Sequence, residues 1–139
     1  HLGVYLGHWL GDTLLESSNL KKVDGIIPVP LHPSKKRKRG YNQAAIIAGA
    51  LSEKLKVPLV KETLIRVKRT QSLAQIGYDE RWREVDQAFE FNKPLPKEMK
   101  HVLLVDDVIT TGATLTACAR ALLKKNPLKL SIVSLACRL

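Results

Sequence analysis

Segments with an apolar face at helical spacing alternate along this chain with short runs of apolar, β-branched residues. The first kind predicts amphipathic helices and the second predicts strands. The pattern predicts helices over 3–17, 41–55 and 112–125, strands over 24–30, 88–91, 101–106 and 130–137, an extended segment over 57–67 and a short amphipathic segment over 80–85. A loop over 31–40, a polar segment over 68–80 and a turn over 92–100 connect them. Strands that alternate with helices indicate an α/β domain with a parallel sheet and right-handed crossovers.

The strand over 101–106 leads into the most informative segment, which runs from Val102 to Thr114. Its apolar part is typical of a strand buried on both faces, and two adjacent carboxylates, Asp106 and Asp107, follow it. A turn rich in threonine and glycine then opens a helix, and the backbone N–H groups of such a turn favour a phosphate. Two carboxylates beside a phosphate would repel it, so we expect this pair to accept hydrogen bonds from sugar hydroxyls.

A buried strand followed by an Asp-capped turn is common in α/β proteins, and it is the simpler interpretation of this segment. It explains the apolar run and one aspartate. It explains neither the second aspartate nor the Thr-Thr-Gly-Ala-Thr sequence of 110–114. A Walker-type loop is excluded because no lysine follows a glycine at the required spacing, and the G-x-G-x-x-G dinucleotide fingerprint is absent.

Residues 102–114 resemble the thirteen-residue phosphoribosyl pyrophosphate signature of type I phosphoribosyltransferases. The resemblance implies a three-layer α/β fold with a mainly parallel five-stranded sheet, in the strand order 3-2-1-4-5, flanked by helices. In a doubly wound sheet, ligands bind at the carboxyl ends of the strands where the strand order reverses. Here that point lies between the strands over 24–30 and 101–106, so we expect the loop over 31–40 to face Asp106 and Asp107 across one crevice.

The positive charge of the chain is concentrated in that loop. The net charge is +10, and the run Lys35-Lys36-Arg37-Lys38-Arg39 accounts for half of this excess. Three interpretations compete, namely a merely solvated loop, a pyrophosphate-binding loop and a nucleic-acid patch. The expected position of the run opposite the two carboxylates favours pyrophosphate binding over simple solvation.

A second resemblance extends from Val23 to the C-terminus. The segment Ile27-Pro28-Val29-Pro30-Leu31-His32-Pro33, followed by a basic stretch that ends in Arg39-Gly40-Tyr41-Asn42-Gln43, is similar to the ComF/GntX family of phosphoribosyltransferase-like competence proteins. Arg66-Val67, Thr70, Glu80-Arg81 and Ala88-Phe89 also fall where that family has such residues. Family members usually carry an N-terminal cysteine-rich zinc ribbon, which this sequence lacks. Leu73 and Glu84 stand where the family often has Gln and Asn.

The two resemblances imply that different candidate site residues bind different parts of the ligand. Ribose hydroxyls and the reacting C1 atom are assigned to Asp106 and Asp107. The 5′-phosphate is assigned to Thr110, Thr111, Gly112, Ala113 and Thr114. The pyrophosphate is assigned to Leu31, His32, Pro33, Ser34, Lys35, Arg37 and Arg39, although His32 taken alone favours a structural or solvent-facing role. A flexible loop with Arg69, Thr70 and Gln71 is expected to close as a lid.

The implied reaction displaces pyrophosphate from C1 of the ribose by a nitrogen nucleophile through an oxocarbenium-like transition state. A departing pyrophosphate requires cations, so we expect Mg²⁺, held mostly by ligand oxygens and water rather than by a metal site of the protein alone. No general base stands out. None is required if the nucleophile is ammonia or a neutral ring nitrogen.

Length and composition restrict the class of protein further. The 139 residues, 45% of them hydrophobic, predict one domain over 1–139. No apolar run is long enough for a membrane span, and no signal peptide is recognisable. Since the chain begins at His1 and its single methionine is Met99, we expect residues upstream to be missing. Cys118 and Cys137 have no metal-ligand spacing, which favours buried apolar packing for both in a cytoplasmic protein without disulfides.

Two functions stay open at this point. The first is a catalytic phosphoribosyltransferase that acts on phosphoribosyl pyrophosphate. The second is a non-catalytic module that binds a ribose phosphate and supports DNA uptake and transformation through single-stranded DNA or DNA-processing proteins. The basic loop is compatible with DNA contact, but an aromatic content of 5% predicts little base stacking. The acceptor and the oligomeric state, including a homodimer, are left open.

Overall fold

The computed structural model describes residues 1–17, 20, 22–68 and 77–138, without the side chains of Tyr78 and Arg81. With the exception of one additional helix, the order of helices and strands is the one that the sequence predicts. The elements are α1 (Leu2–Leu15), β1 (Gly25–Pro28), α2 (Pro33–Arg39), α3 (Gln43–Leu55), β2 (Leu64–Arg66), α4 (Tyr78–Asp86), β3 (Phe89–Phe91), β4 (His101–Ile109), α5 (Ala113–Leu123) and β5 (Lys129–Cys137).

Two predictions differ from the structure by more than two residues. The segment predicted as a loop over 31–40 contains the helix α2. Pro33 has the fixed φ that suits a first helical position, the His32 side chain accepts from the Ser34 amide, and Gly40 ends the helix at φ +79°. The second error concerns β4, which continues three residues beyond Asp106 because Val108 and Ile109 still pair with β5.

A parallel sheet with the strand order β1-β4-β5 forms the centre of the described chain. On the free side of β1, Ile26 forms a single parallel bridge with Leu59, and its backbone bonds to Pro58 and Val60 are 2.9 and 2.8 Å long. The sheet therefore has three strands and one bridge among the described residues, rather than the expected five strands. Pro58 has no N–H to extend the ladder, and β2 instead pairs antiparallel with β3.

Helices cover the central sheet on both faces. Alternate residues of β4 point to opposite sides, so Val102 and Leu104 join one apolar cluster with α5 and the β2–β3 pair. Leu103 and Val105 join a second cluster with α1 and α3. All four side chains are fully buried. This confirms the prediction of a strand buried on both faces and of a three-layer α/β fold.

Three glycines bring α1 close to α3. Gly3, Gly7 and Gly11 lie four residues apart on one face of α1, and all three are buried. A Cβ at Gly7 would lie 2.6 Å from the Cβ of Ala50 and 3.0 Å from the carbonyl oxygen of Ile47. The glycines therefore set the separation of the two helices, which form the outer layer on that face.

Polar groups at the start of β4 form hydrogen bonds with nearby residues. The Asp24 carboxylate accepts from the backbone amides of Lys100 and His101, both at 2.8 Å, and these bonds lower its pKa. The buried His101 ring lies 3.0 Å from the Lys22 carbonyl oxygen through Nδ1 and 2.7 Å from Ser131 Oγ through Nε2. Since a carbonyl can only accept, Nδ1 carries a proton and donates to Lys22, while Nε2 is hydrogen-bonded to Ser131 Oγ. His101 is thus a structural residue.

Both cysteines are free thiols, but only one of them is buried. Cys118 lies in the core, where burial raises the pKa of its thiol. Cys137 is exposed, contrary to the prediction, because it lies at the end of the edge strand β5, where residues 136–138 are open to solvent. None of the described helices is both long and apolar enough to cross a membrane.

Candidate functional site

The two carboxylates that follow the apolar part of β4 lie at the carboxyl end of the central sheet. Asp106 Oδ1 accepts from the Asp107 amide at 2.9 Å, and Asp107 Oδ1 accepts from the Val108 amide at 2.8 Å. These bonds use one oxygen of each carboxylate and hold the two side chains against their own backbone. Asp106 is partly buried, and both side chains line a crevice.

The electrostatic environment of Asp106 is unusual for an aspartate. Burial raises its pKa to about 6, and a hydrogen bond and charge repulsion from the Asp107 carboxylate add to this. The Asp107 amide and the positive charge of Arg66 act in the opposite direction. A carboxyl group with such a pKa titrates near neutral pH, which is more frequent at functional sites than elsewhere.

The turn after β4 forms the second part of the site. Gly112 has φ +78°, a left-handed conformation that a residue with a Cβ adopts at a cost, and it is the N-cap of α5. Thr111 Oγ1 accepts from the Ala113 amide at 3.3 Å. Since Gly112 provides no side-chain cap, backbone N–H groups of the first turn of α5 can donate to an anion.

The five residues predicted to bind the 5′-phosphate lie around one hollow. This hollow has a volume of about 30 Å³, and its lining comprises Asp106 and the residues from Val108 to Leu115. The structure therefore brings one of the two carboxylates and the complete threonine–glycine turn to the same spot. That arrangement follows from the strand–turn–helix connection alone.

A crevice of about 190 Å³ connects the carboxylates with the segment that follows β1. Its lining includes Asp106, Asp107 and Thr114 from the β4–α5 side, and Leu31 and Arg39 from the other side. These five residues belong to the sets predicted from the sequence. Their meeting agrees with the expected crevice between the strands over 24–30 and 101–106.

Other predicted residues lie outside this crevice. His32 caps α2, with Nδ1 at 2.8 Å from Ser34 Oγ and 3.2 Å from the Ser34 amide. Pro33 lines a larger neighbouring cavity. Lys35 and Arg37 lie on α2, which has no buried residue. The lid residues Arg69, Thr70 and Gln71 lie outside the described part of the chain.

Three polar or charged residues of the crevice were not among the predicted site residues. Arg66, at the end of β2, is partly buried and its guanidinium lies 5.2 Å from the centre of the Phe89 ring. Burial lowers the pKa of Arg66, and the charge of Asp106 partly offsets this. Asn42 caps α3 by accepting from Ala44 and also donates to the Val29 carbonyl, and Gln43 follows it. All three belong to the segments that carry the ComF resemblance, so this resemblance is the feature of the sequence that could have identified them.

The described residues contain no group of three or more histidine, cysteine, aspartate or glutamate side chains that could hold a metal ion. Asp106 and Asp107 are nevertheless hard oxygen donors at the mouth of the crevice, the ligand type that Mg²⁺ prefers. The residues present therefore fit a Mg²⁺ ion whose remaining ligands come from a bound phosphate compound.

Exposed rings form a row beside this region. His1, Tyr5 and Trp9 are spaced four residues apart and so share a face of α1, where Tyr5 is 70% and Trp9 57% exposed. The His1 ring makes an edge contact with the exposed Tyr41 ring at 5.6 Å between centres. Tyr41 directly follows the Gly40 cap of α2, so the row of rings begins next to the basic helix. Composition alone did not predict this grouping.

Comparison with known proteins agrees with this geometry. Residues 42–138, more than half of the chain, match the phosphoribosyl transferase domain family. The chain is 35% identical to Competence protein F of Haemophilus influenzae over 120 residues, which cover 84% of this chain and 52% of that protein. The chain belongs to the ComF family of phosphoribosyltransferase-like proteins. The family resemblance read from the sequence is thereby confirmed.

Two further similarities extend the family picture. The DNA utilization protein YhgH of Salmonella typhimurium is 32% identical over 110 residues, which cover 79% of this chain and 48% of that protein. The purine phosphoribosyltransferase of Pyrococcus horikoshii superposes with a TM-score of 0.55 at 23% identity, over 96% of this chain and 71% of that one. This superposition establishes the fold. The chain spans about half the length of the curated relatives it matches.

Proposed function

We propose that the chain binds phosphoribosyl pyrophosphate, or a simpler ribose phosphate, in the crevice and transfers the phosphoribosyl group to a nitrogen acceptor. The observation that carries this proposal is the meeting of Asp106, Asp107 and Thr114 with Leu31 and Arg39 around one crevice. The crevice thus brings together three kinds of group. They are carboxylates that can accept from sugar hydroxyls, donors for a phosphate, and the Arg39 guanidinium for a second phosphate group. A merely structural Asp-capped turn requires neither the second carboxylate nor the arginine.

Each part of the site has a role in this proposal. The backbone N–H groups and hydroxyls from Thr110 to Thr114 hold the 5′-phosphate at the positive end of α5. Asp106 and Asp107 accept from the ribose 2′- and 3′-hydroxyls, and negative charge there eases the positive charge that develops at C1. Arg39 donates to the pyrophosphate, a pairing for which the planar guanidinium is well suited.

The proposal also assigns roles beyond the lining of the crevice. The backbone of 31–34, with Lys35 and Arg37, adds donors for the pyrophosphate beside the crevice. The segment with Arg69, Thr70 and Gln71 closes over the bound ligand. Asp106 or Asp107, together with ligand oxygens and water, would hold a Mg²⁺ ion, which when bound would neutralise charge on the pyrophosphate.

Calorimetric titration with phosphoribosyl pyrophosphate and Mg²⁺ tests the binding step. The unmodified chain is expected to bind, and Asp106→Asn combined with Asp107→Asn is expected to abolish binding. A control that removes two exposed acidic charges away from the crevice, Glu90→Gln with Glu98→Gln, should bind as the unmodified chain does. Equal affinity in all three proteins would refute the assignment of the crevice.

Pyrophosphate release then separates catalysis from binding. If the chain is a transferase, release is expected with at least one nitrogen compound from a panel that includes ammonia, and the Asp106→Asn, Asp107→Asn protein should show none. Binding without release from any member of the panel would favour the second candidate, a non-catalytic ribose-phosphate module.

The row of exposed rings favours that second candidate and gives it a partner. Tyr41 follows the five consecutive cations of α2, its ring contacts His1, and Tyr5 and Trp9 continue from His1 along the same face of α1. Aromatic platforms next to cationic residues are the usual means of binding single-stranded nucleic acid without sequence preference. The name of one relative, DNA utilization protein YhgH, also favours DNA as the partner. On this proposal the chain contacts single-stranded DNA through α1 and α2.

A further inference from the structure

The last strand of the central sheet, β5, is paired on only one side within the described chain. It pairs with β4, and the strand order β1-β4-β5 leaves its other side open. The Lys129 amide donates to the Lys100 carbonyl at 2.8 Å, and the register is unbroken from Lys129 to Ser134. Since the N–H and C=O groups of successive strand residues point to opposite sides, those of Leu130, Ile132 and Ser134 point away from β4.

This edge has little protection against the addition of another strand. Edge strands of soluble proteins usually carry a charged residue or a proline that prevents such pairing. The eight residues from Leu130 to Cys137 include neither, and the Ile132 side chain is 47% exposed. Near the end of β5, Ser134 Oγ donates to the Ala136 carbonyl at 2.9 Å, so the open stretch lies before that point. The opposite edge of the sheet, along β1, already has the bridge to Leu59.

Cations predominate where β5 begins. Because the strands are parallel, the connections that lead into β1, β4 and β5 meet at one end of the sheet, opposite the crevice. These connections, 22–24, 96–100 and 124–129, contain six lysines and two acidic residues, Asp24 and Glu98. The Asp24 carboxylate is bonded to two backbone amides of that end. The excess of positive charge attracts acidic groups to the start of β5. The lysines are Lys22, Lys97, Lys100, Lys124, Lys125 and Lys129.

We propose that β5 binds an extended, acidic segment of a partner protein, which adds to the central sheet as a further strand. The outward backbone groups of Leu130, Ile132 and Ser134 form the ladder with this segment. Its alternating apolar side chains continue the two faces of the sheet, beside Ile132 on one face and Val133 on the other. Acidic residues next to the apolar stretch lie against the lysines at the start of β5. This surface is separate from the crevice, and the inference does not depend on the proposed transferase function.

A second copy of this chain fits the edge less well than an acidic partner. Two β5 strands related by a two-fold axis run antiparallel, so the beginning of each strand lies beside the end of the other. Lys129 of one copy then approaches Arg138 of the other, and like charges that face each other across two strands destabilise the pair. The charge of the edge therefore favours an acidic segment of a different protein.

Fluorescence anisotropy with a labelled synthetic peptide, Glu-Glu-Val-Thr-Val-Thr-Val-Glu-Glu, tests the proposal. A second peptide has the same side chains but carries methyl groups on the backbone nitrogens of the five central residues, so it cannot form a ladder along either of its edges. A third peptide has lysine in place of each glutamate. The unmodified chain is expected to bind the first peptide about tenfold or more tightly than either of the others. Equal affinity for the methylated peptide would overturn the proposal.

A pair of variants at Ile132 places the peptide on the edge. Ile132→Pro removes an N–H group that points away from β4, so the pairing of β4 with β5 keeps all its bonds. Ile132→Thr retains this N–H and a β-branched side chain. Ile132→Pro should weaken peptide binding by about tenfold or more, and Ile132→Thr by less than about threefold. Equal affinity in the two variants would refute pairing with β5. If Ile132→Pro fails to fold, as judged by circular dichroism, the methylated peptide alone decides.

Two triple variants test the part played by charge. Replacing Lys124, Lys125 and Lys129 by glutamine should weaken binding of the acidic peptide by about fivefold or more at low salt. The matched variant replaces Lys36, Lys38 and Lys61, three cations that follow β1 and Val60 on the other side of the sheet, and should weaken it by less than about twofold. Equal losses would mean that only the net charge of the molecule matters, and would overturn the assignment to β5.

Sedimentation distinguishes the acidic partner from a second copy. In the absence of peptide, the unmodified chain and Ile132→Pro are expected to have the same mass. A dimer of the unmodified chain that Ile132→Pro dissociates would assign the edge to a second copy, and the proposal would fail.

Discussion

Among single residues, Asp106 couples the site to the stability of the fold. Its pKa is about 6 in the folded protein against 3.8 for an ordinary aspartate. Between these values the folded state retains a proton that the unfolded chain releases, so this residue makes the protein less stable as the pH rises from about 4 to 6. Above pH 6 the folded protein contains a partly buried, ionised carboxylate.

Asp106→Asn should therefore stabilise the protein at pH 7.5, by about 1–2 kcal/mol after allowance for solvent screening. At pH 4 the difference from the unmodified chain should nearly vanish, because Asp106 is then protonated in the folded state. Urea unfolding at the two pH values measures this. Glu98→Gln, at an exposed position, should give no such pH-dependent difference. A stability difference for Asp106→Asn that is the same at both pH values would contradict the burial argument.

Arg39 and Lys38 are adjacent cations that differ in position. Both are exposed on α2, but only Arg39 lines the crevice. Arg39→Gln should weaken binding of phosphoribosyl pyrophosphate by about tenfold and binding of ribose 5-phosphate much less, because its guanidinium addresses the pyrophosphate. Lys38→Gln removes the same net charge and should change either affinity by less than about threefold. Calorimetric titration of the two variants with both ligands measures this. Equal losses would mean that only the overall charge of α2 matters.

At the scale of elements, the contact between α1 and α3 depends on glycines of α1, which have no side chain at the contact. A Cβ at Gly7 would lie 3.0 Å from a backbone carbonyl oxygen of α3, which can move only if the two helices separate. Gly7→Ala should therefore destabilise the protein by about 1–3 kcal/mol. Gly49→Ala, in open space on α3, should stabilise it by roughly 0.5–1 kcal/mol through helix propensity. Thermal unfolding of the two variants measures both, and a stable Gly7→Ala protein would contradict the close packing.

The elements also show what the sequence could and could not predict. β4 and α5 could be predicted because their apolar residues recur clearly at strand and helix spacing, and because α5 is the crossover that joins β4 to the parallel strand β5. α2 was predicted as a loop because five consecutive cations obscure the start and stop signals that Pro33 and Gly40 provide. The pairing of β2 with β3 depends on contacts between residues about 25 positions apart, which no local pattern encodes.

The same distinction applies to the candidate site. Asp106, Asp107 and the threonine–glycine turn are contiguous in the sequence, so their motif identifies them together. In a doubly wound sheet, ligands bind at the carboxyl ends of the strands where the strand order reverses, so the segment after β1 is expected opposite these residues. Arg66 enters the crevice only through the position of β2, and the larger neighbouring cavity requires α1, α3 and the residues around Leu59 to be in place. These features therefore needed the three-dimensional arrangement.

At the scale of the whole molecule, the net charge of +10 and the exposed rings act over different distances. Charge attracts any polyanion, whereas a ring stabilises only a base that stacks on it. Trp9→Ala should weaken binding of single-stranded oligonucleotides by about 1–3 kcal/mol with little change in salt dependence. Leu123→Ala, at another exposed helical position, is the control in a fluorescence anisotropy titration. An unchanged affinity for Trp9→Ala would remove the rings from the proposed interface.

The distribution of the charge, rather than its total, distinguishes a DNA surface from a generally basic protein. Replacing all five cations of α2, Lys35 to Arg39, by glutamine should reduce the slope of log affinity against log salt by up to about 3.5, since each phosphate contact on a single strand contributes roughly 0.7. A matched variant replaces five exposed lysines elsewhere by glutamine, at Lys97, Lys100, Lys124, Lys125 and Lys129. It has the same net charge, so the same long-range attraction, but it retains α2. A smaller change of slope in this second variant localises the phosphate contacts to α2, whereas equal changes would mean that the strand is attracted by the charge of the molecule as a whole.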